Sequence, residues 1–238
     1  MTIASVSNQT PKVIFLDAMG TLFDLHSSVG EIYQEYALKY GVEAEAGKIN
    51  NSFIESFKAA TPLAFSATEL KVIQEQEFNW WHNVVKNTFA HLGVVGEFSN
   101  FDDFFAEIYA YFATPDPWYV FPDVVCTLQK WQNQGIQLGV ISNFDTRLNY
   151  VLKFLNLAEY FTSITISSIA GVAKPEAAIF EIALKKHGLI AAQAWHIGDS
   201  FVEDYQGAKN ANIRSFWLTR SSSSLNIENQ LPNLSSLG

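Results

Sequence analysis

The chain contains a single cysteine, Cys126, among 238 residues, so no disulfide can close within it. A reducing, cytoplasmic compartment is the expectation. Cys126 lies in the run Val124-Val125-Cys126-Thr127-Leu128 and reads as a small core residue on a helix face. Positive charge is also scarce. Fifteen Lys plus Arg face 24 Asp plus Glu, a net charge of -9, and no basic cluster interrupts that balance. Such a surface repels phosphate backbones and anionic lipid, which sets nucleic acid and membranes aside as partners. No apolar stretch approaches the length of a membrane span. Residues 1–10 lack the basic start and apolar run of a secretory signal. No internal repeat is present.

What is plentiful is core material. Hydrophobic residues make up 48% of the chain and aromatics 14%, which excludes disorder of the whole. The length suits one core domain of roughly 150 residues with a smaller insert. Lys12-Val13-Ile14-Phe15-Leu16 is apolar almost throughout and ends at Asp17. Such a run suits a strand buried on both faces, as in a parallel sheet. Segments 136–141, 164–166, 194–197 and 213–218 share that character. Helical stripes alternate with them. Val124, Val125, Leu128 and Trp131 share one face, stopped by Gly135; Leu148, Val151, Leu152 and Leu155 share another; Ile179, Ile182 and Ala183 share a third, stopped by Gly188. Alternation of this kind predicts a layered α/β domain with a parallel sheet.

Residues 25–113 break the alternation and read as four amphipathic helices in series. One carries Val29, Ile32, Tyr33, Tyr36, Ala37 and Tyr40; a second carries Ile49, Phe53, Phe57 and Ala60; a third covers residues 68–89; a fourth carries Phe101, Phe104, Phe105, Ile108, Tyr109 and Phe112. Pro115 and Pro117 mark the return to the core. The expected division is a core from residues 1–24 and 114–238 and a helical cap from 25–113. Residues 221–238, polar and Ser-rich at their start, read as a surface strap or frayed end.

Open α/β sheets present ligands at the carboxyl ends of their strands. The first strand ends in Asp17-Ala18-Met19-Gly20-Thr21 and the second in Ser142-Asn143. After the third comes Lys174-Pro175; the fourth ends in Gly198-Asp199-Ser200, with Asp204 five residues past Asp199. A carboxylate, a hydroxyl, an amine and an acidic pair are thereby aimed at one rim. Asp204 is open to two readings, a metal ligand or a first-turn helix acid favoured by the dipole; Glu203 is a substitute ligand. His196, inside an apolar strand, reads as a hydrogen-bonded core histidine. His82 and His91 lack metal-ligand spacing. Trp80 and Trp81 read as cap core more than as a substrate platform.

These four motifs, in order along almost the whole chain, resemble the haloacid dehalogenase superfamily. Trp80-Trp81, Ser142-Asn143-Phe144-Asp145-x-Arg147-Leu148 and Gly198-Asp199-Ser200-x-x-x-Asp204-Tyr205-x-Gly207-Ala208 resemble the branch named after the rhythmically expressed gene 2 product. The resemblance implies a Rossmann-like core with a five-stranded parallel sheet in the order 5-4-1-2-3, and a helical cap after strand one. It implies Asp17 as carboxylate nucleophile and, with the Met19 carbonyl and Asp199, as a ligand of Mg²⁺, with Asp204 a further ligand or a partner behind it. It implies Lys174 offsetting charge, Ser142 and the Asn143 amide binding phosphoryl oxygens, Gly20 turning the chain and Thr21 holding the loop. The substrate so implied is a small phosphorylated metabolite. Oligomeric state is not readable.

The pattern departs from the superfamily's phosphatases at Met19. A second aspartate there normally protonates the leaving group and then activates water, an effect worth on the order of 10²–10⁴ in rate. Three readings follow: a Mg²⁺-dependent phosphatase of slow or selective turnover, a 2-haloacid dehalogenase, or a weak enzyme that binds a phosphorylated ligand or protein. Gly20-Thr21-Leu22-Phe23-Asp24-Leu25-His26-Ser27 resembles the dehalogenases, which also lack the second aspartate. Against that, Asp199 is retained, and the first arginine of the chain, Arg147, lies beyond the insert.

Overall fold

The first strand, β1 (Val13–Leu16), is buried at every position, as its unbroken apolar run demands. The structure is a computed structural model describing residues 10–220 and 227–237; the readings made for residues 1–9 and 221–226 lie outside the described residues. After β1 come β2 (Phe23–Leu25) and the four insert helices: α1 (Val29–Lys39), α2 (Ala46–Ala59), α3 (Leu70–His91) and α4 (Phe101–Tyr111). The chain returns through β3 (Trp118–Val120), α5 (Val124–Asn133), β4 (Gln137–Ser142), α6 (Leu148–Phe154), β5 (Ser163–Ile166), α7 (Ser167–Ala170), α8 (Ala177–His187) and β6 (Ala194–Gly198). A π-helical turn, Phe201–Gln206, runs into α9 (Gly207–Asn210), followed by β7 (Arg214–Leu218) and β8 (Gln230–Leu231).

The main sheet has the order β5-β4-β1-β6-β7-β8, with every pairing parallel. It is the expected order with one strand added, so the sheet has six strands where five were expected. The sixth, β8, is two residues long, too short to carry a periodic signal. Among the tail's described residues 227–237, Leu231 and Leu234 are buried, so this part is a strap docked at the sheet edge, one of the two readings, and not a frayed end.

Two apolar layers sandwich the sheet. One gathers Ile14, Leu16, Val140, Ile197 and Phe216 against α5 and α6; the other gathers Val13, Phe15 and Ile141 against α8 and α9. Within α5 the buried face is Val124, Thr127, Leu128 and Trp131. Cys126 is exposed, as is Val125, contrary to expectation. One and two steps past Val124 on a 3.6-residue helix turn about 100° and 200° away from its face.

The insert has its own core, with Ile32, Tyr33, Ile49, Val85, Phe89, Phe104 and Ile108 drawn from all four helices. Ser28 and Glu31 close a reciprocal capping box at the start of α1, and Asn100 caps α4. Insert and core are joined covalently by an antiparallel ribbon of β2 and β3. A polar joint adds to it. Glu77 on α3, fully buried, accepts hydrogen bonds from the Thr146 amide (2.9 Å), the Thr146 hydroxyl (2.5 Å) and the Ser168 hydroxyl (2.6 Å). Among the described residues no helix is long and apolar enough to cross a membrane.

Candidate active site

Asp17 leaves the end of β1 with its amide donating to Ile197 O, so the central strand aims its carboxylate off the sheet's edge. Lys174 arrives from the loop before α8. Its buried ammonium lies 2.7 Å from Asp17 Oδ1 and 2.6 Å from Asp204 Oδ1. Asn143, at the end of β4, fixes that loop: its side chain accepts from the Lys174 amide (2.8 Å) and donates to the Lys174 carbonyl (2.9 Å). Carboxylate oxygens of Asp17, Asp199 and Asp204 all lie within 4.8 Å of one another.

Close approach depends on two glycines. Gly20 has φ +79°, and a Cβ there would sit 2.5 Å from Asp199 Oδ2; a Cβ on Gly198 would overlap the Asp204 carboxyl. Thr21, fully buried, reaches Asp199 Oδ1 through its hydroxyl at 3.4 Å. Asp204 is the most enclosed carboxylate. Besides Lys174 it accepts from His196 Nε2 (2.8 Å) and from the Ser200 amide (3.0 Å). His196 is thus buried and hydrogen-bonded, as expected, and stands behind the acidic cluster.

The charges do not balance. Burial raises the Asp17 carboxyl, Lys174 opposes the rise and Asp204 adds to it. Desolvation, then the charges of Asp17 and Asp204, push Asp199 up to about 7. Asp204 is held low: burial would raise it, but Lys174 and His196 outweigh that. Lys174 is raised, since its two carboxylates outweigh the effect of burial. Three carboxylates share one ammonium, and the Met19 carbonyl accepts no hydrogen bond among the described residues. A hard dication with oxygen ligands fits this donor set.

Beside Asp17 a cavity of about 240 Å³ opens towards the insert. Ser142, Asn143, Met19 and Glu203 stand at its core side. Tyr33, Phe53, Trp81 and Phe105 belong to its insert side. Trp81 is half buried, packs against the insert core as expected, and also walls the cavity; its indole N–H donates to Asp145 at 2.6 Å. Trp80 is likewise only half buried. Arg147 donates from Nε and Nη2 to the two carboxylate oxygens of Asp145 and from Nη1 to Tyr109 O at 3.0 Å, and lies 3.9 Å over the Tyr109 ring.

Sequence reasoning placed Asp17, Ser142, Asn143, Lys174, Asp199 and Asp204 on one rim, and the structure brings them together. It left Glu77, Tyr33 and Arg220 without roles. Glu77 carries a usable signal, an acid four residues after Ile73 on the buried stripe of α3. Arg220, which donates to Thr21 O (2.6 Å) and Asp123 (2.7 Å), carries none.

A family model described as haloacid dehalogenase-like hydrolase matches residues 11–212. Haloacid dehalogenase-like hydrolase domain-containing protein 3 of Danio rerio is 32% identical over 207 residues, covering 87% of this chain and 84% of that protein. The Rhythmically expressed gene 2 protein of Drosophila melanogaster is 27% identical, with coverage of 86% and 81%. Among solved structures, the putative HAD-hydrolase YfnB from Bacillus subtilis, bound to magnesium, superposes with a TM-score of 0.70 at 13% identity, covering 96% of this chain and 97% of that one.

Proposed function

Because the chain belongs to the haloacid dehalogenase-like hydrolases, we propose that it is a Mg²⁺-dependent phosphatase acting on a small phosphorylated metabolite through an aspartyl-phosphate. The observation that carries this reading is the Lys174 ammonium held 2.7 Å from Asp17 in a cluster of three carboxylates. Asp17 and Asp199, with the Met19 carbonyl, would hold the ion. The oxygens of Asp204 already take three donors, which favours it as the anchor of Lys174. A bound Mg²⁺ supplies charge neutralisation between a carboxylate and a phosphate dianion.

The chain's own groups supply the rest. Asp17 attacks phosphorus from the end of a rigid central strand. Lys174 offsets negative charge on the transferring group, and Ser142 with the Asn143 amide binds its oxygens. Residues 25–113 act as the cap that limits water. The single, unpaired thiol suits a cytoplasmic location.

The apolar cavity and Met19 favour a second reading, a 2-haloacid dehalogenase. The acidic cluster opposes it, because a carboxylate substrate would meet three carboxylates. Arg147, the cation nearest the cavity, is already committed to Asp145 and Tyr109. Release of phosphate from p-nitrophenyl phosphate with Mg²⁺, lost in Asp17→Asn and on chelation, is the expected outcome. Metal-independent release of chloride from 2-chloropropionate, without phosphatase activity, would reverse the ranking.

A further inference from the structure

Three features of the cavity beside Asp17 point to one kind of substrate. Its insert wall is aromatic and aliphatic, with Tyr33, Phe53, Phe105 and Ile108 facing a space of about 240 Å³. An apolar cavity of ~150 Å³ already admits benzene, so this one has room for two fused rings. A sugar or polyol would leave its hydroxyls unpaired against such a wall.

The second feature is Met19, which lines the same cavity where the superfamily's phosphatases carry their general acid. An alcohol expelled without a proton leaves as an alkoxide, a base about as strong as hydroxide. A phenol leaves as a phenolate of pKa about 10 and needs far less help. The third feature is Tyr33. It is 3% exposed and lines the cavity, and its hydroxyl makes no hydrogen bond among the described residues and is not sealed from solvent, which leaves it free to bond a ligand there.

We infer, resting on the phosphatase reading, that the substrate is a small aryl phosphomonoester whose ring fills this cavity and offers a polar atom to the Tyr33 hydroxyl. An Asp17 carboxylate oxygen bonds to phosphorus as the phosphorus–aryl oxygen bond breaks. The phenolate leaves with the electron pair and takes a proton from water. Water then adds to phosphorus, the bond to Asp17 breaks, and the carboxylate is regenerated with inorganic phosphate. Overall, ester plus water gives phenol plus phosphate. The second step expels a carboxylate, a weak base, which eases the lack of a general base at position 19.

The test compares kcat/KM with Mg²⁺ for 1-naphthyl, phenyl, benzyl and glycerol phosphates, alongside calorimetric binding of 1-naphthol. Naphthyl over phenyl by roughly tenfold is expected from the extra ring buried. Phenyl over benzyl by at least ~100-fold is expected from the missing acid. Val29→Trp, which fills the cavity from the partly exposed start of α1, should weaken 1-naphthol binding at least ~10-fold. Tyr33→Phe should weaken 1-naphthol and leave naphthalene unchanged, a split that misfolding would not produce.

Benzyl or glycerol phosphate hydrolysed as fast as naphthyl phosphate, with 1-naphthol unbound, overturns the inference and leaves the phosphatase standing. Bound 1-naphthol with no phosphate released from any ester overturns the phosphatase reading, and the ester proposal with it.

Discussion

At the scale of single residues, Lys174 is the side chain on which the acidic cluster depends. It is 2% exposed and bridges Asp17 and Asp204, so removing it strands two buried carboxylates. Lys174→Met is expected to cost ~3–5 kcal/mol at pH 7, and calorimetry should show a melting temperature lower by roughly 6–20 °C. Without the ammonium the Asp17 carboxyl, which burial already raises, rises further, and Asp204 loses the largest influence that holds it low. Their penalty is then absent below about pH 4 and grows as pH rises above it. The variant should therefore lie closest to the parent in acid, and a deficit that shrinks towards pH 8 would refute the account. Added Mg²⁺ should recover part of the loss at neutral pH.

The sequence made Asp17, Lys174, Asp199 and Asp204 readable because each follows a strand or its loop in a fixed order. Tyr33 was not separable from its neighbours. On α1 the same helical spacing serves Ile32, which packs in the insert core, and Tyr33, which also borders the cavity.

At the scale of elements, the junction of α3 with the core rests on Glu77. Its three donors lie on Thr146 and Ser168, and burial raises its carboxyl despite them. Glu77→Ala leaves a buried amide and two hydroxyls unmatched, and is expected to cost ~3 kcal/mol or more in denaturant titrations. Glu75→Ala, on the exposed face of the same helix, should stay within ~0.5 kcal/mol. Equal effects would show that the joint contributes nothing. The four insert helices and five long strands were legible because each shows a strong 3.6-residue or unbroken apolar pattern. The β2–β3 ribbon and β8 were not, since two or three residues cannot establish a period and their pairing is set by distant parts of the chain.

At the scale of the whole molecule, the far end of the chain is tied to its beginning. Arg220 reaches Thr21 O and Asp123, while Asp123 also accepts from the Leu234 amide at 2.6 Å. Burial would raise Asp123, but the hydrogen bonds from Arg220 and Leu234 hold it below the usual carboxylate range. Its stabilising contribution is complete above about pH 4 and is lost as pH falls through the lower folded value. Asp123→Asn should cost ~1–3 kcal/mol at pH 7 and lose less on acidification than the parent. Identical acid slopes in pH-dependent unfolding would count against this tie.

The sheet order also has a consequence for synthesis. The ribosome makes β1 first, yet it sits between β4 and β6, so it has no neighbour until β4 emerges and only one until β6 does. At ~5–20 residues per second, roughly 10–40 s separate the appearance of Asp17 from that of Asp199. Throughout that interval the apolar segment Val13–Leu16 lacks at least one of its two partner strands. The nascent chain is then at its most aggregation-prone, and chaperone demand should peak before the fourth core strand leaves the exit tunnel.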